Sequence, residues 1–412
     1  METVPNDTDA VKFSALIRND IVAYMQRRYN LAERIIDNRD LAALSLWLKK
    51  NPRLTQGELT KKLEQQWAEW IGTKYAVFCN SGSSANLLAA YALLMSNTLR
   101  NKKVIVPSVG WATTIAPFIQ LGFEPIMCGA DQNTFALDAA HLEELLKQHN
   151  AATVVLVQVL GVPANMDLLL RLKKTYNFLL VEDACAALGA RYGVKKVGAF
   201  GDLSTFSFYF GHQLSTIEGG IVNTNDKELH DILLMLRSHG WGKDLEKKAR
   251  VRLMKTHTID EWHEPFTFFV PGFNVRSTDL NAFLGLRQMR KADSVSGIRM
   301  RNHAIYAAHV KNVDFQKWDT KAVPCSISFG ALAKTPAHRK RIVETLDEHH
   351  IETRLFSAGN LGLHPFWYER YGTFSHPVSD RVHSCGFFLP NNESLTKKDV
   401  LYICDVVNKV QP

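Results

Sequence analysis

FSFYFGHQLSTIEGG, residues 206–220, is where the chain declares its architecture. A β-rich run from Phe206 to Phe210 stops at Gly211, one histidine (His212) follows, and a Ser-Thr-Ile-Glu-Gly-Gly turn leads into a second apolar run at Ile221. Taken alone, a histidine in a strand-to-loop transition is ordinarily a satisfied polar residue. Its surroundings give it another setting.

Outward from this stretch, short β-rich runs alternate with amphipathic helical patterns between about residues 75 and 240. The runs are KKVIVPS (102–108), ATVVLVQVL (152–160), FLLVEDA (178–184), LSTFSFYF (203–210) and GGIVNTN (219–225), spaced by patterns such as SANLLAAYALLMS, LDAAHLEELLKQ and DLLLRLKKTY. Alternation of this kind predicts an α/β fold whose mostly parallel central sheet is covered by helices. Ligands of such sheets sit beyond the carboxyl ends of strands, which is where His212 stands.

Residues 1–70 read as a helical segment, with an amphipathic helix starting at Thr55 or Gln56; 71–314 read as the large domain and 315–412 as a smaller α+β domain. With 412 residues, 46% hydrophobic and 22% charged, the chain can bury a large core. The polar N-terminus and the lack of any apolar run of about 18 residues lead us to expect a soluble, cytoplasmic protein that does not enter the membrane. Six scattered cysteines without a C-x-x-C pair suggest reduced thiols and no metal site. The formal charge of +8 is spread along the chain instead of clustering with aromatics, which argues against nucleic acid and suits an anionic small substrate. The charged stretch 242–264 reads as a solvated excursion or lid.

Three more strand-end loops carry polar groups suited to one ligand. In CNSGSSANLLAA, Gly82, Ser83 and Ser84 open a helix, where unpaired N–H groups and the helix dipole favour a phosphate; a plain serine cap is the simpler use of the same residues. Asp183 leaves a buried strand as a carboxylate able to pair with a protonated ring nitrogen, or to cap a helix. Trp111, just past a strand, can stack on a flat ring or lie in the core. Together these describe the needs of a pyridoxal phosphate type cofactor.

With these residues in view, the chain resembles fold type I pyridoxal phosphate enzymes, in the branch of nucleotide-sugar aminotransferases and dehydratases. The resemblance runs from about Thr55 to the C-terminus, on NSGSSAN, VEDACAALGARY, GDLSTFSFY, TIEGG and GFNVRSTDLNAFLGL. In the aminotransferases of this branch a lysine that links to the cofactor stands where His212 is, and no lysine occurs between Val197 and Asp226. The histidine-bearing members are sugar 3-dehydratases.

The resemblance therefore implies pyridoxal or pyridoxamine phosphate held non-covalently, with His212 as the acid/base. It further implies a nucleotide-linked 4-keto-6-deoxy sugar as substrate, with GDP-4-keto-6-deoxy-D-mannose favoured over CDP- or dTDP-sugars, and L-glutamate as amine donor. Ser207 matches a serine that supports the cofactor phosphate, and Asn274 lies in a loop that reaches that phosphate from a neighbouring subunit, implying a homodimer with shared active sites. His239 and Arg276 match glutamate contacts, while Leu54, Thr55, Gln56, Gly57, Lys243 and Glu352 match substrate contacts. The chain departs from the family at Ala186, where a glutamine or acidic residue is usual, and at Lys243, where arginine is usual.

Three rival readings remain. An iron–sulfur dehydratase would need clustered cysteines after the histidine, and only Cys325, Cys385 and Cys404 follow it. A catalytically inactive binding protein draws its support from Ala186. A lysine-dependent aminotransferase lacks its nucleophile.

Overall fold

The computed structural model describes residues 27–412; the part of the helical segment expected before Arg27 lies outside them. Strands run β1 (Tyr75–Cys79), β2 (Lys103–Pro107), β3 (Glu124–Cys128), β4 (Thr153–Val157), β5 (Leu179–Asp183), β6 (Arg191–Tyr192), β7 (Lys195–Lys196), β8 (Leu203–Ser207), β9 (Gly220–Thr224), β10 (Asp314–Phe315), β11 (Ala322–Val323), β12 (Ser328–Leu332) and β13 (Gly386–Pro390). Seven of them form the central sheet in the order β1-β9-β8-β5-β4-β2-β3. All neighbours are parallel except β9, which is antiparallel to both β1 and β8.

The sheet is mostly parallel because its connections are helices: Gly82–Met95, Ala112–Gln120, Ala139–His149 and Met166–Tyr176 return the chain between strands. Strands β4, β8 and β9 are buried at every position, which is why they read as continuous apolar runs instead of alternating ones. Two edge strands, β1 and β3, lie outside the five runs singled out in the sequence. Glu124 and Pro125 make β3 look unlike a strand, and an edge position tolerates both.

Strand β8 ends at Ser207, three residues short of the run in the sequence. Ser207 pairs with Gly220 at the last rung of the β8–β9 ladder, and Tyr209 and Phe210 turn outward, about half exposed. The amphipathic helix of the N-terminal region spans Glu58–Ile71, starting after Gly57 instead of at Thr55 or Gln56. Its cap is not local: the Asp279 carboxylate accepts from the N–H groups of Gly57, Leu59 and Thr60 at 2.8, 3.2 and 3.0 Å.

A smaller sheet, β10-β12-β13, is covered by helices Pro336–Glu348 and Lys397–Lys409 and has its own core around Phe329, Phe387, Leu389 and Ile403. Helix Ala292–His309 joins the two layers. Among the described residues no helix is long and apolar enough to cross a membrane.

Candidate active site

Between the C-terminal ends of the central strands and the small sheet lies a cavity of about 950 Å³. Its wall brings together Gly82, Ser83, Trp111, Asp183, Ser207, His212 and Glu352 from the candidates read in the sequence. No lysine lines it among the described residues.

The cradle comes from three strand ends that converge on one glycine. Gly220 faces Ser207 on β8 and Cys79 on β1, and a Cβ on it would lie 2.6 Å from the Gly82 nitrogen and 2.1 Å from the Ser81 carbonyl oxygen. A Cβ on Gly82 would in turn fall 2.5 Å from that of Ser207. The two glycines thus let the N-terminus of helix Gly82–Met95 close onto the Ser207 hydroxyl. Ser81, not Ser83 or Ser84, is the N-cap: its Oγ accepts from Ser84 N–H at 3.0 Å and meets the Ser84 hydroxyl at the same distance. Ser84 is therefore engaged in the cap and does not line the cavity. The first two N–H groups of the helix, on Gly82 and Ser83, are left for an anion.

Asp183 is buried at the end of β5. Its Oδ2 accepts from Thr114 Oγ1 at 2.6 Å and Asn86 Nδ2 at 3.0 Å, and its Oδ1 accepts from Cys185 N–H at 3.1 Å. Thr205 Oγ1 donates to Asn86 Oδ1 at 2.6 Å and so orients the amide. A carboxylate offers about four acceptor positions, so one stays open for a ligand N–H. Trp111 is 52% exposed and lines the cavity, so it is not a core residue.

His212 follows the turn in which its N–H bonds the Tyr209 carbonyl at 3.0 Å. Burial in the cavity wall pushes its pKa down to about 4, the Asp183 carboxylate opposing and the Arg299 and Arg354 charges assisting. The imidazole is therefore neutral near pH 7 and competent to accept a proton. Among the described residues its Nδ1 is buried without a partner. An orphaned nitrogen, a cradle that a Cβ would fill, a carboxylate with one open position and an exposed indole are the features a phosphorylated pyridine ring requires, and they fit it.

Ala186 lines the same cavity, and its carbonyl accepts from the Gln213 side chain at 2.8 Å. The sequence reading missed several lining residues: Asn86 and Thr114, which hold Asp183, and Arg28, Glu218 and Arg354. Asn86 lies inside NSGSSAN and Glu218 inside TIEGG, so position was their signal; Thr114, Arg354 and Arg28 stand outside the quoted motifs.

The remaining candidates form a second cluster that does not line this cavity. His239 (φ 61°) is 3.4 Å from Arg276 Nη2, and Arg276 Nε donates to Asn274 Oδ1 at 3.0 Å. The Lys243 ammonium lies 4.0 Å from the centre of the Trp241 ring and 5.0 Å from that of Phe266. The LTQG segment is held beside them: Thr55 bridges to Thr278, Leu54 O accepts from Asp279 N, Gln56 Nε2 donates to Asp244 at 2.8 Å, and Gly57 meets Asp279. Buried Arg237 ties this cluster to the core through Glu64, Asp244 and the Phe78 carbonyl. Within the stretch 242–264, helix Lys247–His257 has no buried residue and Trp262 is 86% exposed; Phe266, just beyond it, is 72% exposed.

Residues 34–408 match the family model of the DegT/DnrJ/EryC1/StrS aminotransferases. A GDP-4-keto-6-deoxy-D-mannose 3-dehydratase of Escherichia coli O55:H7 is 34% identical over 338 residues, which are 81% of this chain and 86% of that protein. Among solved structures, a mutant GDP-4-keto-6-deoxymannose-3-dehydratase with bound GDP-perosamine superposes with a TM-score of 0.84 at 29% identity, covering 92% of this chain and 100% of the other. The same enzyme with a trapped PLP-glutamate geminal diamine gives a TM-score of 0.83 at 28% identity and the same coverage.

Proposed function

The chain belongs to the DegT/DnrJ/EryC1/StrS aminotransferase family, and from that premise we propose that it is a pyridoxal/pyridoxamine phosphate-dependent 3-dehydratase of nucleotide-linked 4-keto-6-deoxy sugars, with GDP-4-keto-6-deoxy-D-mannose as the favoured substrate. The observation that carries this reading is His212, a neutral imidazole that lines one cavity with Asp183, a cavity that no lysine lines among the described residues. When bound, the cofactor supplies an electron-accepting ring and an amino group able to condense with a ketone.

This chain's residues do the rest. Gly82 and Ser83 N–H groups and the Ser207 hydroxyl would hold the phosphate, Trp111 would cover the ring, and Asp183 would accept the ring N–H and so keep it protonated and electron-poor. With the cofactor bound, His212 would move the proton at its exocyclic carbon, the acid/base work that loss of the C3 hydroxyl requires, and would form no covalent bond to the cofactor. Overall, glutamate gives its amino group and two electrons and leaves as 2-oxoglutarate and ammonia, while the C3 hydroxyl is lost. His239 and Arg276 suit the glutamate carboxylates, and Asn274 the phosphate, when a second copy of the chain brings them to the cavity. Glu352, Lys243 and the LTQG segment are assigned to the substrate.

Purified protein with pyridoxal phosphate and glutamate is offered GDP-, CDP- and dTDP-4-keto-6-deoxy sugars and followed by mass spectrometry. The expected product has lost the C3 hydroxyl; a 4-amino sugar as sole product, or no turnover of any, overturns the assignment. Borohydride treatment of the loaded protein should leave no pyridoxyl adduct on any lysine in stoichiometric yield.

A further inference from the structure

One wall of the cavity comes from a segment that precedes residue 34, where the match to the family model begins. Residues 27–33 run as a strap along the cavity wall, lining it with Arg28, Asn30, Leu31 and Ala32, and are pinned to the small domain at several points. Tyr29 pairs with Ile351 in parallel fashion, its N–H donating to His350 O and its carbonyl accepting from Glu352 N–H, both at 2.9 Å. Asn392 Nδ2 donates to the Asn30 carbonyl at 2.7 Å, and the Arg27 guanidinium meets Asp399 at 2.8 Å. The Leu31 N–H donates to Glu352 Oε2 at 2.8 Å, so one oxygen of this carboxylate is taken by the strap and the other is left for a ligand.

With its backbone held, the strap presents Arg28 to the cavity. Arg28 is exposed, lines the wall and has no hydrogen-bonding or ionic partner among the described residues. Arg354 lies in the same wall, its guanidinium 5.2 Å from the Phe388 ring centre and 5.9 Å from that of Trp111, likewise without an acid of its own. Two guanidiniums without an acidic partner among the described residues line a cavity whose phosphate cradle is already supplied by Gly82 and Ser207, and so offer it a second place for an anion.

We propose that the strap is part of the substrate site and that Arg28, with Arg354, is a substrate-binding residue that holds the diphosphate of the nucleotide sugar. The inference rests on the nucleotide-sugar reading. A diphosphate carries the two adjacent anionic groups that two planar, permanently charged forks match, and the sugar it bears is then directed inward toward His212.

The test uses the full chain saturated with pyridoxal phosphate, so that the cradle is already filled. Isothermal titration calorimetry with GDP, CDP and dTDP identifies the tightest nucleotide, and its uncharged nucleoside serves as comparator. Arg28→Gln is expected to weaken binding of the diphosphate about tenfold or more, the scale of a charge-assisted hydrogen bond, and to leave the nucleoside unchanged. Arg354→Gln should act in the same direction. Arg34→Gln removes the same charge from an exposed position outside the cavity and should change binding less than twofold. Arg28→Gln within twofold of wild type, or no weaker than Arg34→Gln, overturns the inference and leaves the nucleotide-sugar reading intact. Wild-type protein that binds none of the three nucleotides overturns both.

Discussion

The cavity at the strand ends and the cluster around Trp241 are built on opposite plans. In the cavity, polar groups are buried and tied down: Asp183 accepts three hydrogen bonds, and the Ser81 cap consumes the hydroxyl of Ser84. In the outer cluster, charges lie on aromatic faces, Lys243 over Trp241 and Phe266, and large rings such as Trp262 stand in solvent. The first plan suits a site that must hold one ligand in one orientation, because an unpaired buried carboxylate is costly and each donor narrows its freedom. The second suits a surface completed by something else, since exposed apolar rings gain most when covered. The candidate residues divide between these two regions, and within a single chain they do not meet in one cavity.

The largest expected effect lies inside the cavity. His212→Asn should still bind cofactor, because the cradle, Asp183 and Trp111 are untouched, while dehydration and the glutamate half-reaction fall about 10²- to 10⁴-fold, the usual worth of a positioned acid/base group. Absorbance titration measures the binding and product assay the rate; near-full activity would return His212 to the ordinary polar role it has when read alone. Next, Asp183→Asn should slow the glutamate half-reaction with the fold intact. A rate within about threefold of wild type, under roughly 0.7 kcal/mol of barrier, would sink its role at the ring nitrogen.

A third experiment joins the two regions. If the outer cluster serves the cavity of a second copy, His212→Asn and Arg276→Ala, each inactive alone, should complement when mixed and re-equilibrated. Half of the dimers are then mixed and carry one intact site each, which restores about a quarter of wild-type activity. No recovery in subunits shown to exchange would mean that each chain uses its own cluster.

Smaller effects sharpen the cavity's electrostatics. Thr114→Val removes one of three donors to Asp183 and should slow the glutamate half-reaction about fivefold, an effect of roughly 1 kcal/mol, without unfolding the protein. The acid limb of kcat/KM should reflect a group near pH 4 instead of 6.5, because the folded state keeps His212 neutral down to there. Between about pH 6.5 and 4 the unfolded chain binds a proton at this position that the folded chain refuses, so folding stability falls as pH drops through that window. His230, lowered to about 4 by burial, adds to the same slope, and His212→Asn should reduce it by the share of one group in denaturation curves taken across the range.

Much of the molecule is legible in its sequence. Continuous apolar runs marked five strands of the central sheet, and strand-end position alone pointed to Asp183, Trp111, Gly82 and His212. Edge strand β3 escaped because it carries Glu124 and Pro125, residues that an edge accommodates. Ser84 was read as a ligand for phosphate and is the partner of the Ser81 cap, since a run of serines at a helix start does not reveal which one turns back on the backbone.

What the sequence by itself determined is local: the period of two or of 3.6 that separates strands from helices, the glycines where backbones must touch, and the absence of lysine around His212. What only the tertiary structure decided is which distant groups satisfy one another. Asp183 takes its donors from Asn86 and Thr114, Glu352 is held by Leu31 from across the chain, and helix Glu58–Ile71 is capped by Asp279. Apolar burial writes a repeating pattern into the chain because every turn of an element meets the same core. A buried polar group needs only one partner, which any element can supply, and so it leaves no period to read.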